Sequence, residues 1–157
     1  MKINIVCVGN MHDKNLAPLV DMYMKRINFY MPAQLTIIPD IATSKTMPKA
    51  QQCIKEGELI LAKTTPADFI VLLDERGKEM TSNEFAQFIQ KKATTLSRNL
   101  IFVIGGPFGF SQAVYDRADY KMALSKMTFT HEMARVLATE QIYRVLSILN
   151  GSSYHHD

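Results

Sequence analysis

Tryptophan is missing from this chain, cysteine occurs only twice in 157 residues, and long apolar runs are absent. Each shortage excludes something. Cys7 and Cys53 lie inside apolar patterns and form no CxxC pair, so a disulfide framework or a zinc knuckle is a poor description, and small buried thiols in a reducing compartment a better one. No stretch approaches the ~20 apolar residues of a membrane span, and the apolar run after Lys2 is shorter than the roughly seven to fifteen residues of a signal peptide. A cytoplasmic protein with no membrane association is expected. The common catalytic signatures are also missing. There is no GxxxxGK[ST]; the first strand ends on a lone Gly9 rather than GxGxxG; and neither GxSxG nor HxE with PCxxC occurs. His131 and Glu132 are adjacent and cannot act as an HExxH pair, so no metal is expected.

What is present is globular. Hydrophobic residues make up 47% and charged residues 21%, and a net charge of +3 is too small to bind nucleic acid by charge alone. The most informative stretch runs from Leu100 to Ser111, LIFVIGGPFGFS. Five apolar residues read as a strand buried on both faces, and the glycine-rich turn after them allows close approach to the main chain. Ser111 then caps a helix over Gln112 to Ala118. The same residues also suit a strand-to-helix turn with no ligand.

In chain order, Lys2 to Gly9 is a first strand. A helix follows with Leu16, Leu19, Val20, Tyr23 and Ile27 on one face, Asn15 as cap and Pro18 in its first turn. Gln34 to Ile38 is a second strand. After a polar loop, Pro48 opens a helix whose expected face is Ala50, Cys53, Ile54 and Leu61, weakened by Gly57. Phe69 to Leu73 is a third strand, ending on a charged loop, Asp74 to Lys78. Thr81 and Glu84 form a capping-box pattern for a helix with Phe85, Phe88 and Ile89 inward. After the glycine turn, a fifth strand near Met122 to Ser125 leads into a helix from Glu132 to Asn150, closed by Gly151.

Strand then helix, five times over, defines one α/β domain across residues 1–157. Its sheet is mainly parallel and five- to six-stranded, with helices on both faces. The last helix is apolar nearly all round, so it is either internal or covered by a partner, and a homodimer is the favoured reading.

Three loops at the carboxyl ends of the last three strands can line one pocket: Leu73 with Asp74, Gly105 to Gly109, and Leu124 to His131. Alternatively Thr130 simply caps the last helix. The tail from Ser152 to Asp157 offers a phenol and an imidazole in Tyr154-His155, or else is a frayed end.

The run GGPFG, the segment LSKMTFTHEMARVLATEQIYR and the terminal Tyr154-His155 together resemble the SPOUT methyltransferases, and among them the ribosomal RNA large subunit methyltransferase H family. The resemblance covers nearly the whole chain. It implies a homodimer that transfers a methyl group from S-adenosyl-L-methionine to N3 of a pseudouridine in a 23S ribosomal RNA stem-loop, with the ribosome as partner. It further implies a C-terminal trefoil knot. Carried over by residue, Leu73, Gly105, Gly106, Leu124, Ser125, Lys126, Met127, Thr128 and Phe129 would hold the cofactor. Arg135 and Arg144 would contact RNA phosphates, while His155 serves as base or proton relay and Tyr154 as orienter, with Asp74 and Glu132 as weaker base candidates. Thr130 and Ser153 stand where the family pattern has proline. A ribosome-binding module without chemistry, or a sensor of another adenine-containing ligand, are the competing readings.

Overall fold

The computed structural model describes residues 1–41, 45–95 and 98–156. Part of the polar loop before the second helix, and the last residue of the tail, lie outside them. The elements run β1 (Ile3–Val8), α1 (Ala17–Tyr30), β2 (Ala33–Ile38), α2 (Lys49–Leu61), β3 (Phe69–Glu79), α3 (Ser82–Thr95), β4 (Leu100–Ile104), α4 (Gln112–Arg117), β5 (Tyr120–Ala123) and α5 (His131–Leu149). Five strands form one sheet in the order β2-β1-β4-β3-β5, and every pairing is parallel.

The strands are apolar on both faces because both faces are covered. Ile3, Ile5 and Cys7 of β1 join Val71, Phe102 and Ile104 in a core shared with α1, α3 and α5. Val6 and Val8 join Ile70, Leu72, Ile101 and Val103 in a second core under α2 and α4. The central strand β4 is buried along its whole length. Among the described residues no helix is long and apolar enough to cross a membrane.

Local signals account for several boundaries. Thr81 N–H donates to Glu84 Oε2 at 2.7 Å and Glu84 N–H to Thr81 Oγ1 at 3.1 Å, the reciprocal capping box that opens α3. Ser111 Oγ accepts from Val114 N–H at the start of α4, and Thr130 Oγ1 from Met133 N–H at the start of α5. Asn15 does not cap α1. Leu16 holds that position without a side-chain bond, and Asn15 N–H instead donates to Asp13 Oδ1 in the turn before it.

Two expectations need larger corrections. The buried positions of α2 are Gln52, Glu56, Gly57 and Ile60, while Ile54 is 54% exposed. The helix is rotated because Gly57 presses against α4: a Cβ there would lie 2.4 Å from Ser111 Oγ. The charged stretch after Leu73 is no simple loop either. Leu73 and Lys78 both pair with Met122 of β5, so the residues between them bulge out and β3 resumes beyond. Gly77 permits this return, since a Cβ at that position would meet the β5 backbone at Lys121 and Met122 at 2.7 Å.

α5 packs against α1 and α3, burying Val136, Ala138, Ile142, Val145 and Leu146. Met133, Leu137, Tyr143, Ile148 and Leu149 remain half-buried, so the helix is not internal on all sides.

Gly77→Ala should push β3 off β5 and lower stability by about 1–3 kcal/mol. Urea unfolding checks this, with a lowered midpoint and an unchanged slope expected.

Candidate active site

β3, β4 and β5 end on the same edge of the sheet, and the loops leaving them enclose a cavity of about 490 Å³. Its walls include Leu73, Ile104, Gly105, Gly106, Leu124, Ser125, Met127, Thr128 and Phe129, with His131 and Ala134 from α5. Ligands of parallel α/β sheets bind at this edge. The residues expected to hold a cofactor therefore come together, apart from Lys126. Its side chain is 87% exposed, with Nζ 3.8 Å from Glu79 Oε1.

Asp74, expected at the pocket, builds the other wall together with two residues that sequence reasoning left in the background, Arg76 and Tyr115. Tyr115 hydroxyl donates to Asp74 Oδ2 in a short bond, Arg76 Nη2 donates to the Tyr115 oxygen at 2.9 Å, and Arg76 N–H donates to Asp74 Oδ1 at 2.9 Å. Burial works against a charge on Asp74, but the bonds from Tyr115 and Arg76 outweigh it and hold the carboxyl below its ordinary range. Burial and the bond to Asp74 push the Tyr115 phenol up, so it stays protonated. Asp74 is thus a fixed anion in the wall and a poor base. Glu132 is likewise held low, by the backbone N–H groups of Asp13 and His12 that it accepts. Thr128 hydroxyl donates to Glu75, which ties the loop after β5 to the bulge of β3.

Under the glycine turn lies Glu56, 5% exposed. Gln52 Nε2 donates to its Oε1 at 2.9 Å, and among the described residues Oε2 has no partner. A Cβ on Gly106 would lie 3.1 Å from both carboxyl oxygens. Burial raises the Glu56 pKa, opposed by the Gln52 bond and reinforced by nearby Asp40, while His131 lowers it.

Tyr154 and His155 do not line the cavity of their own chain. They fold back on α5, the Tyr154 ring edge-on to Tyr143 at 4.6 Å. Glu140 is the hub of this arrangement. Its Oε1 accepts from Arg144 Nε at 3.0 Å and from Tyr154 hydroxyl at 3.2 Å, and Arg144 Nη1 meets His155 Nδ1 at 3.3 Å. The structure thus joins Arg144, Tyr154 and His155 through a carboxylate that no motif singled out. Burial, with Tyr23 and Glu140 nearby, pushes the Tyr154 phenol up, so it remains a donor.

Arg135 requires correction. Expected as a surface contact for phosphate, it is 1% exposed, and its Nη2 donates to Val8 and Gly9 carbonyls at 2.8 and 2.5 Å. A guanidinium enclosed in this way is unavailable to RNA.

Comparison with known proteins bears on this geometry. A family model described as predicted SPOUT methyltransferase matches residues 1–155, and the chain belongs to that family. Solved relatives show the same fold at 12% identity: a probable methyltransferase from Bordetella pertussis Tohama I has a TM-score of 0.54 and covers 92% of this chain and 93% of its own. A probable methylase family protein from Haemophilus influenzae Rd KW20 has a TM-score of 0.55, covering 99% of this chain and 70% of its own. Closer in sequence are proteins named Ribosomal RNA large subunit methyltransferase H. That of Christiangramia forsetii is 49% identical over 99% of both chains, and that of Parabacteroides distasonis 46% identical over the full length of both.

Glu56 gives the site a measurable pH signature. Its folded pKa is raised, so from about 4.3, the ordinary glutamate value, stability should fall as pH rises through the raised value and level off beyond it. Glu56→Gln should remove that slope in urea midpoints measured from about pH 4 to about pH 8.

Proposed function

We propose that this chain transfers a methyl group from S-adenosyl-L-methionine to N3 of a pseudouridine in a stem-loop of 23S ribosomal RNA, acting on the ribosomal large subunit as a cytoplasmic homodimer. One observation carries the reading: a full-length match to relatives named for this class of reaction coincides with a cavity built from the loops that the resemblance assigns to the cofactor.

The residues fit the cofactor. Leu73, Ile104 and Leu124 supply apolar walls for a nucleoside, Gly105 and Gly106 supply close backbone, and Asp74 supplies a carboxylate that stays ionised beside a cationic ligand. When bound, the sulfonium supplies an electrophilic methyl group. The chain's own task is then alignment of an in-line attack, which can contribute several kcal/mol, and removal of the N3 proton.

His155 takes that proton in this reading, with Tyr154 as orienter. The arrangement on α5 supports a move of the tail. Arg144 has only donors, so Nδ1 of His155 accepts from it and Nε2 carries the hydrogen. To accept a proton at Nδ1 the imidazole has to leave Arg144, and its release frees Nη1 for a phosphate of the substrate while Nε and Nη2 stay paired with Glu140. A destination in the partner's cavity accounts for the distance of the tail from its own. The half-buried outer residues of α5, Leu137 among them, suit the same dimer. The trefoil threading implied by the family belongs with this reading.

The test is methyl transfer from labelled S-adenosyl-L-methionine to large subunits and whole ribosomes from cells lacking the modification, followed by mapping of the labelled nucleotide. Label on N3 of a 23S pseudouridine is expected. Normal cofactor binding without label on any ribosomal particle would leave a binding module instead. His155→Ala should keep affinity for S-adenosylhomocysteine and lower turnover by about 10²–10⁴; unchanged turnover removes His155 from the mechanism. Light scattering should give the mass of two 17.8 kDa chains, and a monomer would overturn the role of the partner's tail.

A further inference from the structure

The turn after β4 holds one aromatic ring out at the mouth of the cavity. Gly106 and Gly109 are bridged in antiparallel fashion, Gly109 N–H donates to the Gly106 carbonyl at 3.3 Å, and Gly109 sits at φ +78°. Pro107 fixes one dihedral between them. From α2, the Cys53 thiol donates toward the carbonyls of Phe108 and Gly109, at 3.4 and 3.8 Å. The turn is therefore pinned along its backbone.

Its two phenylalanines have different fates. Phe110 packs beneath Gly105 and edge-on to Tyr115 at 5.8 Å, joining the core under α4. Phe108 stays 42% exposed while lining the cavity, and the Lys49 ammonium stands 5.1 Å from its ring centroid. An exposed ring adds little to the stability of the fold. Held on a rigid turn, it loses little freedom when something flat covers it. Every nucleobase has such a face, single-stranded RNA loops present bases unstacked, and with the ammonium over one face of the ring a base would stack on the other, within reach of that charge for its phosphate.

We propose that Phe108 is a stacking platform for the nucleobase next to the target nucleotide, with Lys49 contacting the phosphate of that neighbour. The inference rests on the methyl-transfer reading above and adds two substrate contacts to it. Phe108 is assigned to the RNA rather than to the cofactor because the ammonium over its ring, that of Lys49, lies outside the cavity lining, so the pair reaches beyond the space the cofactor would fill.

The test compares the parent chain with Phe108→Ala, Phe108→Tyr and Lys49→Ala. Methyl transfer to unmodified large subunits is measured alongside calorimetric binding of S-adenosylhomocysteine. Phe108→Ala should lower kcat/KM about tenfold, through KM for the ribosomal particle, with cofactor affinity unchanged. Phe108→Tyr should restore it. Lys49→Ala should lower kcat/KM and reduce the slope of its logarithm against log salt by about 0.7. Unchanged kcat/KM in Phe108→Ala would overturn the stacking role while leaving the reaction intact. Cofactor affinity falling in step with rate would reassign the ring to the cofactor. No methyl transfer by the parent chain would overturn the reaction and this inference together.

Discussion

A single buried guanidinium ties the last helix to the first strand. Arg135, in the second turn of α5, donates to the carbonyls of Val8 and Gly9, where β1 runs out of its sheet ladder. Strand ends leave carbonyls that must find donors, and a buried arginine must find acceptors. Nη2 of Arg135 serves both carbonyls, while among the described residues its Nε and Nη1 have no partner. With the start of α5 fixed over the end of β1, His131 and Ala134 stand in the cavity wall, and the loop from Leu124 to Phe129 is drawn across the strand ends. Further along the same helix, Glu140 and Arg144 are placed to gather the tail.

Around that frame the carboxyl groups divide their tasks by environment rather than by type. Asp74 is kept ionised by a phenol and an arginine, Glu132 is absorbed by backbone N–H groups, and Glu56 is pushed toward its neutral form. Glu140 collects an arginine and a tyrosine. The site therefore keeps a fixed negative charge, that of Asp74, on one wall of the cavity.

Much of this was legible in the residues. Apolar strands buried on both faces, the inward face of α3, the capping box at Thr81 and the caps at Ser111 and Thr130 all depend on local chemistry, which neighbours in sequence determine. What escaped depends on contacts across the fold. The burial of Gln52 and Glu56 follows from the glycine turn above them and from Gly57 meeting Ser111, and no helical pattern encodes either. The slip of β3 past Gly77 is decided by β5, more than 40 residues later. Arg135 looked like a surface cation because arginine is rarely enclosed. Tyr115 and Glu140 gave no signal, because each matters through partners distant in sequence or through a tail folded back on its own helix. The cavity loops, Asp74 among them, were visible as glycine and small polar or charged residues after strands; Arg76 and Tyr115, the partners that hold Asp74, were not.

The clamp also orders events during synthesis. β1 is made long before the arginine that seals its end, which is encoded 127 residues later. Until α5 leaves the ribosome, the sheet face carrying Ile3, Ile5 and Cys7 lacks the helix that fills the space between α1 and α3. A nascent chain therefore carries an open apolar surface until α5 has been made, a state in which chaperone binding competes with aggregation.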